Sequence, residues 1–162
     1  MKKTKWLGLK IAAGALVTLT PLAALVACKD TKPAPAPTPV EGIFNVQGGV
    51  LTGFAPNVTQ NDVKQYVAKH QGKFVIPNGV TVIAANAFNA NTVKIGIPYE
   101  TKELEIASTV KKIEDHAFYG CEQLETVTYT DVESSQLQYI GVSAFAGCKA
   151  LKSFTFPQAL VT

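Results

Sequence analysis

Val110-x-x-Ile113-x-x-x-Ala117-Phe118-Tyr119-Gly120-Cys121-x-x-Leu124-x-x-Val127-x-Tyr129 is a pattern this chain writes more than once. Its second form is Leu137-x-x-Ile140-x-x-x-Ala144-Phe145-Ala146-Gly147-Cys148-x-x-Leu151-x-x-Phe154-x-Phe156. A shortened form, Val80-x-x-Ile83-x-x-x-Ala87-Phe88, precedes both. The three phenylalanines lie 30 and 27 residues apart. Self-similarity at a fixed period of roughly 20–50 residues marks a repeat architecture. Leu-x-x-Val-x-Tyr alternates at its end, as a short strand with one buried face does. A proline then breaks the strand, in Ile76-Pro77 and again in Phe156-Pro157. Val-x-x-Ile makes a second extended segment or a tight turn. The Ala-Phe pair predicts one short helical turn with its phenylalanine inward, ended by a glycine at φ > 0. One such unit cannot bury its own apolar face, but stacked units can, each contacting only its neighbours.

These residues resemble the BspA-like class of bacterial leucine-rich repeats, over about residues 73 to 162. The resemblance implies an α/β solenoid, a stack of short strands with short helical turns. It also implies a protein-binding role, with adhesion to host proteins, matrix or other cells, and no enzyme activity. The chain departs from the family pattern in its longer spacing, which places extra residues at 97–104 and 130–136, read as bulging loops. The first unit has Ala84 where the third has Gly141, and Asn89 to Asn91 in place of Tyr-Gly-Cys. Cys121 and Cys148 occupy one repeat position. Stacked turns lie about 4.8 Å apart, which leaves a disulfide geometrically open; the resemblance implies free thiols packing as small hydrophobes.

Residues 43–72 do not fit the repeat. Phe44-x-Val46 and Val50-Leu51-x-x-Phe54 flank Gly48-Gly49, which predicts a hairpin. Thr59-x-x-Asp62 reads as a near capping box. Val63, Tyr66, Val67 and His70 then share one helical face, and Gly72 can end the helix. Hairpin and helix together are expected to form an N-terminal cap over repeats 73–162.

The start of the chain reads as an address. Met1 to Lys10 is basic and Ile11 to Val26 is an apolar run interrupted by Pro21. That is short for a spanning helix but suits a secretory leader. Leu25-Val26-Ala27-Cys28 resembles a bacterial lipobox. It implies a signal peptide over 1–27, cleavage between Ala27 and Cys28, and a diacylglyceryl group on Cys28 that anchors the chain to a membrane. A plain signal peptide or anchor helix containing a cysteine is the other reading. Residues 28–42 carry prolines at 33, 35, 37 and 39. Such a stretch favours polyproline II and makes a stiff tether of ~40 Å; a proline-rich ligand for a partner domain is its rival. The expected location is a bacterial cell membrane or outer surface, extracytoplasmic.

Composition narrows the function classes. The chain has 162 residues, 47% of them hydrophobic, and a net charge of +3. All fifteen basic residues are lysines and four lie in the first ten positions; the rest of the chain has eleven lysines against twelve acids. No basic excess is left there for a nucleic-acid partner. Two histidines, no arginine and no cluster at ligand spacing leave no catalytic, cofactor or metal set, and no small-molecule substrate is expected. Asp131 and Glu133 could pair as acid and base, but lie in an extra loop beside Ser134 and Ser135. His116 sits where other units have Asn86 and Ser143, a position expected to face solvent. Pleat alternation points Glu125, Thr126 and Thr128, then Lys152, Ser153 and Thr155, away from the core. Thr126, Thr128, Ser153 and Thr155 are the candidate binding face. The alternatives are a structural spacer, or the N-terminal fragment of a longer surface protein, because the pattern stops at Thr162 within a repeat. A lipoprotein hydrolase would need a nucleophile–base pair that the chain lacks.

Overall fold

Each repeat lays down two short strands, and each strand joins a different sheet. A computed structural model of the chain describes residues 42–160. The expected leader, its cleavage site at Ala27 and Cys28, and the tether up to residue 41 lie outside the described residues. In chain order the elements are β1 (Phe44–Gln47), β2 (Val50–Phe54), α1 (Gln60–Lys69), β3 (Lys73–Ile76), β4 (Val82–Ile83), β5 (Glu103–Ile106), β6 (Lys112–Ile113), β7 (Thr126–Tyr129), β8 (Tyr139–Ile140) and β9 (Ser153–Phe154). One sheet has the order β3-β5-β7-β9 and is parallel throughout. The other runs β1-β2-β4-β6-β8, parallel except for the antiparallel β1–β2 hairpin. This is the solenoid of short strands that the repeat implies.

The register explains the core. Phe74, Leu104, Val127 and Phe154 stand side by side across the first sheet, and Ile76, Ile106 and Tyr129 form the next row. Phe74, Ile76, Leu104, Ile106 and Val127 are fully buried. Between the sheets runs a column of repeat phenylalanines. Phe88 stacks on Phe118 at 5.4 Å and Phe118 on Phe145 at 5.2 Å. Phe44, Phe54, Tyr66 and Phe74 close the first end of that column with edge-on contacts. Phe145 is only half-buried: Phe118 stacks on one side of it and Phe154 meets it edge-on at 5.1 Å.

The expected short helical turns are not helices. Around Phe118, alternate amides take opposite roles. Ala117, Tyr119 and Cys121 donate three residues back, to Glu114, His116 and Phe118. His116, Phe118 and Gly120 instead donate to Val142, Ala144 and Ala146 of the next repeat, at 2.8–3.1 Å. The geometry needs left-handed backbone at two places. Gly120 and Gly147 supply φ of 74° and 77°, as the pattern predicts. Asn86, His116 and Ser143 supply the other, at 56–59°. His116 is therefore fixed by backbone conformation and half-buried, rather than simply exposed.

The first thirty described residues form the predicted hairpin and helix. Thr59 accepts from the Asp62 amide while the Asp62 carboxylate accepts from the Thr59 amide, a complete capping box. Val63, Tyr66 and Val67 are the buried face of α1. The expected loop at 97–104 is partly packed: Ile97 and Thr101 are buried, Tyr99 and Glu100 stand out between them, and β5 starts at Glu103.

Candidate functional site

The residues singled out as a binding face lie on the outward side of β7 and β9. Thr126 is in register with Ser153, and Thr155 donates its amide to Val127 at 3.4 Å. Thr126 and Thr128 are half-buried; Ser153 and Thr155 are exposed. The structure thus brings all four onto one sheet face. It also extends that face across β3 and β5, which the sequence reading left out. The outward row of Thr126 and Ser153 continues through Glu103 to Lys73, and the row of Thr128 through Glu105 to Val75. The overlooked signal was the same alternation one and two repeats earlier, in Glu103-Leu-Glu105 and Lys73-Phe-Val75.

Side-chain contacts tie these rows together across strands. Lys73 Nζ sits 2.9 Å from Glu103 and 3.2 Å from Glu105. Those two carboxylates hold the Lys73 ammonium's pKa above its ordinary value. Thr128 donates to Glu103 at 3.2 Å and Thr130 to Glu105 at 3.3 Å. At the start of the strands, Glu125 lies between Lys152 at 2.8 Å and Lys102 at 3.6 Å. Hydrogen bonding to Lys152 keeps the Glu125 carboxyl below its ordinary pKa. These pairs are solvent-facing and each contributes little stability. Their effect is to hold long side chains in fixed positions on the face.

Asp131, Ser134, His70 and His116 have structural partners. Asp131 accepts from the Glu133 amide and from both the amide and hydroxyl of Ser134, which shapes its own turn. Ser135 is buried rather than exposed in the loop. The His70 ring packs on Tyr66 at 4.1 Å and the His116 ring on Tyr119 at 5.5 Å. Among the described residues, no group of three or more His, Cys, Asp or Glu is placed to hold a metal.

Cys121 and Cys148 are free thiols, each donating to the carbonyl of the phenylalanine one repeat earlier, Phe88 and Phe118, at 3.4 Å. Burial pushes the Cys121 thiol up to about 12, helped by Cys148, and the Cys148 thiol up to about 11. Folding therefore favours the protonated thiols. Their contribution is fully present below the ordinary thiol pKa of about 8.5 and is lost as pH rises through the folded values. At pH 8, iodoacetamide should label the native chain at Cys148 well before Cys121, because Cys121 is only 2% exposed. Peptide mapping checks this; equal rates would mean the last turn opens as a unit.

A BspA type leucine rich repeat region is matched over residues 64–162, in six copies. The chain belongs to the BspA-type leucine-rich repeat family. The match begins inside α1, upstream of the first unit visible by eye. A solved structure of a leucine rich cell surface protein from Faecalibacterium prausnitzii A2-165 is similar in fold, with a TM-score of 0.50 and 21% identity. The likeness covers 76% of this BspA-type chain and 31% of that protein, so this chain spans less than a third of its length. No curated protein matches.

Proposed function

We propose that this chain is a lipid-anchored surface protein whose repeats bind other proteins through the outward face of β3, β5, β7 and β9. One observation carries the reading: four consecutive repeats align their outward side chains in register, and cross-strand contacts hold those side chains in place. A broad polar face of this kind suits a protein surface better than a small molecule. Membership of the BspA-type family supports protein binding, and the similar solved protein is described as a cell surface protein. Cys28 behind a basic, apolar leader supports anchoring through lipid, and residues 28–42 would then lift the repeats off the membrane. Adhesion to host proteins, matrix or other cells is the role this combination serves. It asks for no catalytic residue.

The test has two arms. Thr128→Lys together with Thr155→Lys adds charge to the face without touching the core. It should abolish saturable binding to immobilised matrix proteins or host cells while leaving the melting curve unchanged. Unchanged binding would place the partner elsewhere; no saturable binding by the unaltered chain would favour a spacer role. In the second arm, Cys28→Ala should remove incorporation of a labelled fatty acid, and label retained on that variant rules out lipidation at Cys28.

A further inference from the structure

The segment between the first and second units departs most from the repeat spacing, and it is tied to a helix that precedes the repeats. The Gln60 side-chain amide, at the start of α1, donates to the Gly96 carbonyl at 3.1 Å and accepts from the Gly96 amide at 3.3 Å. One side chain thus meets both backbone groups of a residue 36 positions away. Lys64, one turn along α1, pairs with Glu100 at 3.3 Å. From the other side, Gln123 of the next repeat donates to the Ile97 carbonyl at 3.2 Å. Residues 96–100 therefore bridge α1 and the second repeat.

The seam is built differently from the stack. Repeats are joined by backbone ladders and continuous aromatic contact. Between α1 and residues 96–100 the polar contacts are made by side chains at exposed positions, and an open cavity of about 230 Å³ persists there, between Lys64, Val67, Ala68 and Gly72 on one side and Pro98, Glu100 and Thr101 on the other. What α1 covers matters. β3 is the end strand of its sheet, and α1 packs on it, with the Tyr66 hydroxyl donating to the Val75 carbonyl at 2.8 Å. End strands left open invite pairing with another chain.

We propose that residues 96–100 are a latch: they fasten α1 over β3, and their release opens β3 while the later repeats stay folded. Partial openings confined to one end of a structure are ordinary in folded proteins. Gln60→Ala in the full chain removes both bonds to Gly96 at a position where alanine suits a helix. Hydrogen exchange should accelerate about tenfold in α1, in β3 and at 96–100, with β5 and β7 amides unchanged. Gln65→Ala, exposed on the same helix, should alter none of these. Unchanged exchange in Gln60→Ala overturns the latch. So does equal acceleration through all repeats, or failure of this variant to fold, since either makes α1 inseparable from the stack.

Discussion

Phe118→Ala lowers the unfolding free energy by about 3–5 kcal/mol in an equilibrium urea melt, the range found when large buried aromatics are truncated. Phe118 has no exposed surface and is stacked on both sides, by Phe88 at 5.4 Å and Phe145 at 5.2 Å. Its loss leaves a void in the middle of the column, and the backbone around it cannot collapse. The Phe118 amide is held by Ala144, and its carbonyl accepts from both the Cys121 amide and the Cys148 thiol. Phe145→Ala should cost clearly less, because Phe145 is half-buried and has a repeat phenylalanine on one side only. Equal losses at both positions would mean that the column is covered beyond Phe145 in solution. A loss below about 1 kcal/mol at Phe118 would put that ring outside the core.

Gly141→Val is expected to cost about 1–3 kcal/mol through overpacking. By repeat alignment the position looks tolerant, since Ala84 and Glu114 occupy it in the other two units. The structure says otherwise. A Cβ on Gly141 would stand 2.5 Å from the Asp115 nitrogen and 2.6 Å from the Glu114 carbonyl carbon, both backbone of the preceding repeat. To make room, the turn must move away, straining the Gly141 amide bond to Ile113 and the Val142 amide bond to the Asp115 carboxylate, at 2.7 and 2.8 Å. Gly141→Ala should already show most of the effect, because the clash is with the first side-chain atom. A melt that places Gly141→Val within about 0.5 kcal/mol of the unaltered chain would show that this turn yields freely.

The inward half of the repeat was legible because its chemistry is local. Leu, Val, Ile and Phe at fixed spacing name the buried rows directly, and the capping box of Thr59 and Asp62 is written within four residues. Half of the outward face was legible as well, since Thr126, Thr128, Ser153 and Thr155 lie within recognisable repeats. Lys73, Glu103 and Glu105 were harder, because β3 and β5 precede the two complete copies, and only register shows that they share a row. The same limit hid the bond between Gln60 and Gly96, which depends on where the chain returns after 36 residues. Asn86, His116 and Ser143 read as interchangeable polar positions. Their shared requirement is left-handed backbone, which asparagine and histidine meet more readily than serine. Cys28 and Ala27 rest on motif alone.

The alternating amides of residues 116–121 set a rule about where this chain can lengthen. Every second N–H there points forward to the next repeat and the others point back within the turn. Adding one residue inside that block would exchange the two sets, so a forward donor would face its own turn and a backward donor its neighbour. No single side chain could repair such a change of parity. Segments that carry no such alternation have no parity to lose. Residues 91–102 and 130–136 are where the copies differ in length, and both lie outside the alternating blocks. The repeat can therefore be read as a rigid beat separated by rests, and of the two rests it is the exposed one at 130–134 where a new loop can be grafted without disturbing the beat.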